Sequence, residues 1–139
     1  MKNKLYAFVL MPFDKEFDEV YADLIKPAFE AVGYNVKRAD DIVSQQNILK
    51  DIFRSIAKAD LIIADLTSLN ANVFYELGIA HTFKKPVIMI AQSIEEVPFD
   101  LTPFFHVHYK TMKELQESWQ RKVIPFLKNM MSDYFEVIS

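Results

Sequence analysis

Apolar residues fall in short runs separated by stretches of helical spacing. Leu5 to Leu10 is an apolar run that breaks at Met11-Pro12-Phe13. Phe17, Val20, Tyr21, Leu24, Ile25, Ala28 and Val32 then recur as on one face of a helix, and Gly33 stands where a glycine closes it. Tyr34 to Lys37 reads as a second strand, ending at Arg38-Ala39-Asp40-Asp41. Ser44 is placed to cap a second helix whose Ile48, Ile52 and Ile56 are spaced by four. Leu61 to Ala64 is the third strand, about Val73 to Phe83 the third helix, and Val87 to Ala91 the fourth strand. Gln92 to Pro103 reads as loop with a short turn and Phe105 to Tyr109 as a fifth strand. Lys113 to Met131 reads as a closing helix kinked at Pro125. Strands alternating with helices predict an α/β fold of the flavodoxin-like or Rossmann-like three-layer kind. Its five-stranded, mainly parallel sheet is expected in the order 2-1-3-4-5.

The connection after the third strand carries the most chemistry. The strand stops at Asp65, and Thr67, Ser68, Asn70 and Asn72 follow, side chains that bond nearby backbone and cap helices. Asn72 reads as the N-cap, which puts Glu76 about four residues into the helix, where the positive end of the dipole favours an ionised carboxylate by roughly 0.3 to 1 kcal/mol. Gly78, one of two glycines in the chain, costs a helix on the order of 1 kcal/mol relative to alanine. That cost predicts close approach by a packed neighbour or a ligand.

Composition narrows the setting. The 139 residues suit a single domain over 1–139, and 51% hydrophobic and 14% aromatic content argues against disorder. A net charge of -3 gives no electrostatic case for binding a nucleic-acid polymer. The absence of cysteine removes disulfides, thiolate metal sites and thiol nucleophiles. Met1-Lys2-Asn3-Lys4 is followed by too short an apolar run for a secretory signal, and no run reaches a membrane span, so a cytoplasmic protein is expected. His81, His106 and His108 lack zinc-ligand spacing, and neither metal nor cofactor is expected.

In open α/β sheets ligands bind beyond the carboxyl ends of the strands, near the switch in strand order. Met11, Pro12, Phe13 and Asp14 lie after strand one; Arg38, Asp40 and Asp41 after strand two; Asp65, Asn70, Asn72 and Glu76 after strand three; Gln92 and Ser93 after strand four. That clustering suits a small polar ligand. Neither GxGxxG nor GxxxxGK[ST] nor GxSxG occurs, so dinucleotide, P-loop and serine-hydrolase sites are unsupported.

Several segments resemble the nucleoside 2-deoxyribosyltransferase-like superfamily, in particular its small bacterial branch, related in fold to TIR domains. They are Phe8 to Phe13, Ile25-Lys26-Pro27-Ala28, Arg38-Ala39-Asp40 and, above all, Ala59 to Thr67 with Asn70 and Asn72 to His81. The resemblance implies N-glycosidic bond cleavage or transfer on a nucleoside, nucleotide or NAD-like substrate. By motif position Glu76 attacks the anomeric carbon, and Asp65 assists at the base or sugar along with Asn70 and Asn72. A carboxylate beneath the sugar suits an oxocarbenium-like transition state. Phe13 is then placed to stack on a base and Arg38 to hold a phosphate, with Pro12, Asp40 and Gln92 completing the binding set. Subunits of this family complete one another's sites, which implies a homo-oligomer.

The same residues have plainer roles open to them. Glu76 serves equally as a solvated helix carboxylate, Asp65 as a turn cap, and Arg38 as a surface partner of Asp40 or Asp41. Phe13 and Tyr75 serve as core or rim aromatics. The alternative function is a non-catalytic, TIR-like nucleotide-binding signalling module using the same pocket.

Overall fold

The computed structural model describes residues 5–42, 48–102 and 104–129. Five parallel strands, β1 (Leu5–Leu10), β2 (Tyr34–Arg38), β3 (Leu61–Asp65), β4 (Val87–Ala91) and β5 (His106–His108), form one sheet in the order β2-β1-β3-β4-β5. The expected order therefore holds. β3 is buried at every residue, and Leu61 to Ala64 are accordingly apolar without alternation: helices cover both faces of the sheet. β1 steps across to β2 on one side and β3 lies on the other, so the strand order switches between β1 and β3.

The two faces are packed differently. One carries α1 (Lys15–Glu19), running through a π-helical stretch Val20–Ile25 into α2 (Lys26–Ala31). Beside it lies α6 (Met112–Ser118), running through a second π-helical stretch, Trp119–Val123, to residue 129. Its core is rich in rings, with Trp119 and Tyr34 each set edge-on to Phe29, at centroid distances of 4.9 and 5.8 Å. The other face carries α4 (Ile48–Lys58) and α5 (Ala71–Thr82) over Phe8, Leu10, Ile62, Ala64 and Met89. A short helix α3 (Ala39–Ile42) and the turns Thr67–Leu69, Ile94–Glu96 and Phe99–Leu101 fill the connections. The Ser44 cap and the end of the closing helix at Met130 and Met131 lie outside the described residues. No helix among the described residues is long and apolar enough to cross a membrane.

Both π-helical stretches end just before a proline, Pro27 and Pro125. Proline has no N–H to donate and its ring crowds the carbonyl four residues back, so the turn before it widens. Accordingly the Lys26 N–H bonds the Tyr21 carbonyl and the Ile124 N–H the Trp119 carbonyl, each reaching back five residues. The widening shifts the buried stripe: Phe29 is fully buried, whereas Val32, expected on the stripe, is 45% exposed beside Gly33. Gly33, with φ of 100°, ends the helix as expected.

Gly78 differs from expectation. It is exposed, and a Cβ built there meets nothing within 4 Å. With no neighbour to accommodate, Gly78→Ala is expected to raise stability by about 0.5 to 1 kcal/mol through helix propensity alone. Urea titration of the two proteins measures it directly.

Candidate functional site

A small cavity opens at the switch between β1 and β3. It encloses about 50 Å³ and is walled by Val9 to Phe13 at the end of β1, by Ala39 after β2, and by Asn70, Asn72, Val73 and Glu76 from the start of α5. Parallel strands deliver their connections to the same edge of the sheet, so three segments distant in sequence meet there.

Helix α5 begins two residues earlier than its sequence suggests. Asn70, not Asn72, is the N-cap: its backbone is extended, and its Oδ1 accepts from the N–H groups of Asn72 at 2.9 Å and Val73 at 3.2 Å. Asn72 is left exposed on the cavity wall. Glu76 is consequently the sixth helical residue, beyond the first turn where the dipole acts most strongly. Burial dominates instead, and it pushes the Glu76 carboxyl up to about 7. Among the described residues Glu76 is the one ionisable group on the cavity wall. Pro12, Phe13, Asn70 and Asn72 share that wall, so five of the sequence-expected residues come together.

The others stand elsewhere. Asp65 is completely buried, its Oδ1 accepting from the Thr67 N–H at 3.0 Å and its Oδ2 from the Tyr109 hydroxyl at 2.7 Å. Burial raises its pKa against the opposing hydrogen bonds from Thr67 and Tyr109. It ties the end of β3 to the turn beyond and does not line the cavity. Arg38 is also buried. Its Nη1 lies 3.1 Å from Asp18 Oδ1 and its guanidinium sits 4.7 Å from the Tyr21 ring centroid and 5.9 Å from that of Phe13. Among the described residues Arg38 pairs with Asp18 and not with Asp41, whose carboxylate accepts instead from the Arg38 backbone N–H and the Tyr21 hydroxyl. Burial pushes the Asp41 carboxyl up, but those two bonds and the nearby Lys26 and Lys37 hold it below its ordinary value. Gln92 is exposed and off the cavity wall; its backbone N–H donates to the Thr67 hydroxyl at 3.2 Å. The Asp40 side chain lies outside the described residues. Among the described residues no three His, Asp or Glu side chains converge as a metal site would need.

Sequence reasoning left out the apolar wall, Val9, Leu10, Ala39 and Val73. Such residues read as core, and nothing in their spacing separates them from it. It also left out Tyr109 as the partner of Asp65, a pairing across 44 residues with no local signal.

No family model matches this chain, and no curated protein matches its sequence. Solved structures share its fold, which is common to nucleoside 2-deoxyribosyltransferases, an N-glycosidase and TIR domains. A 2-deoxyribosyltransferase from Leishmania mexicana aligns with a TM-score of 0.59 at 16% identity, over 85% of this chain and 99% of its own. A CMP N-glycosidase from Clostridium botulinum aligns at 0.64 and 18% identity, over 83% and 97%. The TIR domain of a Toll-related receptor from Hydra magnipapillata aligns at 0.61 and 13%, over 88% and 97%. At these identities the likeness concerns the fold. It agrees with the resemblance that Ala59 to His81 carries in sequence.

Proposed function

We propose that this protein cleaves or transfers the N-glycosidic bond of a nucleoside-type substrate, with Glu76 as nucleophile. The observation that carries the reading is the position of Glu76: a half-buried carboxylate, alone among the ionisable groups of the described residues, on the wall of a cavity at the strand-order switch. The Glu76 carboxylate attacks the anomeric carbon from beneath the sugar as the C–N bond breaks. The bond's electron pair leaves with the base, which takes up a proton, and water or an acceptor base then displaces the carboxylate. Phe13, 60% exposed at the cavity mouth and backed by the Arg38 guanidinium, offers a face for base stacking. The Asn72 amide stands on the wall as a partner for sugar hydroxyls. Enclosed volumes of ligand sites run from roughly 300 Å³ upward, so a nucleoside lies mostly across this mouth, with its sugar inward.

The Arg38 guanidinium is engaged by Asp18, and among the described residues no cation lines the cavity. An unphosphorylated nucleoside is therefore expected to be turned over with kcat/KM about tenfold or more above its 5′-monophosphate, a charged phosphate beside Glu76 costing at least one decade. Parallel kinetics on the two substrates checks this.

The likeness to a TIR domain supports a second reading, a binding module without turnover. Incubation with deoxynucleosides, ribonucleosides, nucleoside monophosphates and NAD, with free base followed by chromatography, separates the two. Base release supports the enzyme. A ligand-induced thermal shift with no base released from any substrate sinks it.

A further inference from the structure

The connection from β3 to α5 bends where L residues resist bending. Ser68 and Leu69 have φ of 63° and 52°, in the left-handed region that residues other than glycine, asparagine and aspartate rarely enter. Core packing does not force this conformation, because both residues are exposed, Leu69 by 56%. A surface turn with no other duty would relax by adopting a different backbone or a glycine.

The conformation is imposed by hydrogen bonds from three other segments. Tyr109, just beyond β5, donates its hydroxyl to Asp65 Oδ2 at 2.7 Å, and Asp65 Oδ1 accepts the Thr67 N–H at 3.0 Å. The Gln92 N–H, after β4, donates to the Thr67 hydroxyl at 3.2 Å. The Ser68 N–H donates to Glu96 Oε2 at 2.6 Å, from the turn Ile94–Glu96. The residues that follow directly are Asn70, which caps α5, and Asn72 on the cavity wall.

We propose that Tyr109 and Glu96 are positioning residues: they clamp the strained Thr67–Leu69 turn and thereby set where Asn70 and Asn72 stand relative to Glu76. The effect on turnover rests on the N-glycosidic reading of the cavity, whereas the clamp itself does not. Neither residue lines the cavity. The clamp joins the ends of β4 and β5 to a site built from β1, β2 and β3, so side chains on the far half of the sheet influence chemistry on the near half.

The test compares wild type with Tyr109→Phe, Glu96→Ala and Glu96→Gln in the full chain, by amide hydrogen exchange and by base release. Tyr109→Phe and Glu96→Ala are expected to speed exchange at Thr67, Ser68, Asn72 and Val73 about tenfold relative to β1 and β3. They should lower kcat by a similar factor with KM little changed, the scale of losing one charge-assisted hydrogen bond. Glu96→Gln keeps an acceptor oxygen and should restore both. Unchanged exchange at those four amides overturns the clamp, and faster exchange with unchanged kcat overturns its role in positioning. If the wild type releases no base from any substrate, the N-glycosidic reading and the positioning claim fall together, and the exchange data alone uphold or overturn the clamp.

Discussion

Glu76→Gln is expected to lower base release by about three orders of magnitude or more, because glutamine keeps the shape of the side chain but supplies no nucleophilic oxygen and no charge opposite an oxocarbenium ion. The same change should stabilise the protein at alkaline pH. Burial raises the Glu76 carboxyl from 4.5 to about 7, so the folded protein holds a proton that the unfolded chain gives up. Stability from this group is present in full below about 4.5 and is lost as pH rises to about 7 and beyond. Linkage alone would make the loss roughly 3 kcal/mol; because the side chain is only half-buried, solvent screening reduces it to about 1 to 2 kcal/mol. Glutamine does not ionise and should recover that amount at pH 8 while showing little gain at pH 4. Base release by the wild type should climb with pH through about 7 as the nucleophile ionises. Thermal melts at the two pH values, run beside a pH-rate profile, check both halves. A variant that is inactive and also less stable at pH 8 would contradict the placement of this carboxylate in a desolvated cavity.

Asp65→Ala is expected to act on stability first. The substitution leaves the Thr67 N–H and the Tyr109 hydroxyl without their acceptor in a fully buried position. Two orphaned donors cost roughly 2 to 4 kcal/mol together, a large share of a domain's stability. Asp65→Asn should cost far less, since its carbonyl oxygen still accepts from Thr67 and the Tyr109 hydroxyl turns to accept from the amide. This pair of variants separates the two roles open to Asp65 in the sequence. A group touching substrate would lose activity in both variants with little change in melting; a tie within the fold loses stability in the alanine variant alone. Denaturant titration together with base release gives the answer. Because burial raises the Asp65 pKa, the sign of its pH effect follows that of Glu76: its contribution to stability declines as pH rises through the folded value.

The sheet was legible because a strand buried on both faces leaves an unmistakable trace. Leu61 to Ala64 admits no polar residue, and its neighbours in the order β2-β1-β3-β4-β5 follow from right-handed crossovers. The position of Glu76 on the cavity wall was legible because a polar residue in an apolar helix, just past a strand and a turn, has few reasons to be there. The cap was misjudged because Asn70 and Asn72 stand two apart with Ala71 between them, and either fits a helix start. Only the backbone geometry, extended at Asn70, decides it. Arg38 illustrates a different limit. Its partner Asp18 lies on α1, and no local rule connects a residue at the end of β2 to a helix that precedes it. Tyr109 and Asp65 are farther apart still, and that contact exists only once the sheet has formed.

The widened turns before Pro27 and Pro125 also fix the angular phase of two helices. Phe17, Tyr21, Ile25 and Phe29 are buried at strict intervals of four, as are Leu115, Trp119, Val123 and Leu127. On an unbroken α-helix advancing about 100° per residue, each such series would drift by about 120° from first to last and turn its final member away from the sheet. One wide turn per helix takes up the drift. Closing the wide turn at full length would therefore rotate Phe29 away from Trp119 and Tyr34, whereas removal of a single residue between Val20 and Ile25 would let a regular α-helix place Phe29 in phase with Phe17, about 1100° or roughly three whole turns further on. The ring-packed face of the sheet thus depends on a match between helix length and one wide turn, independent of which side chains occupy the outward positions.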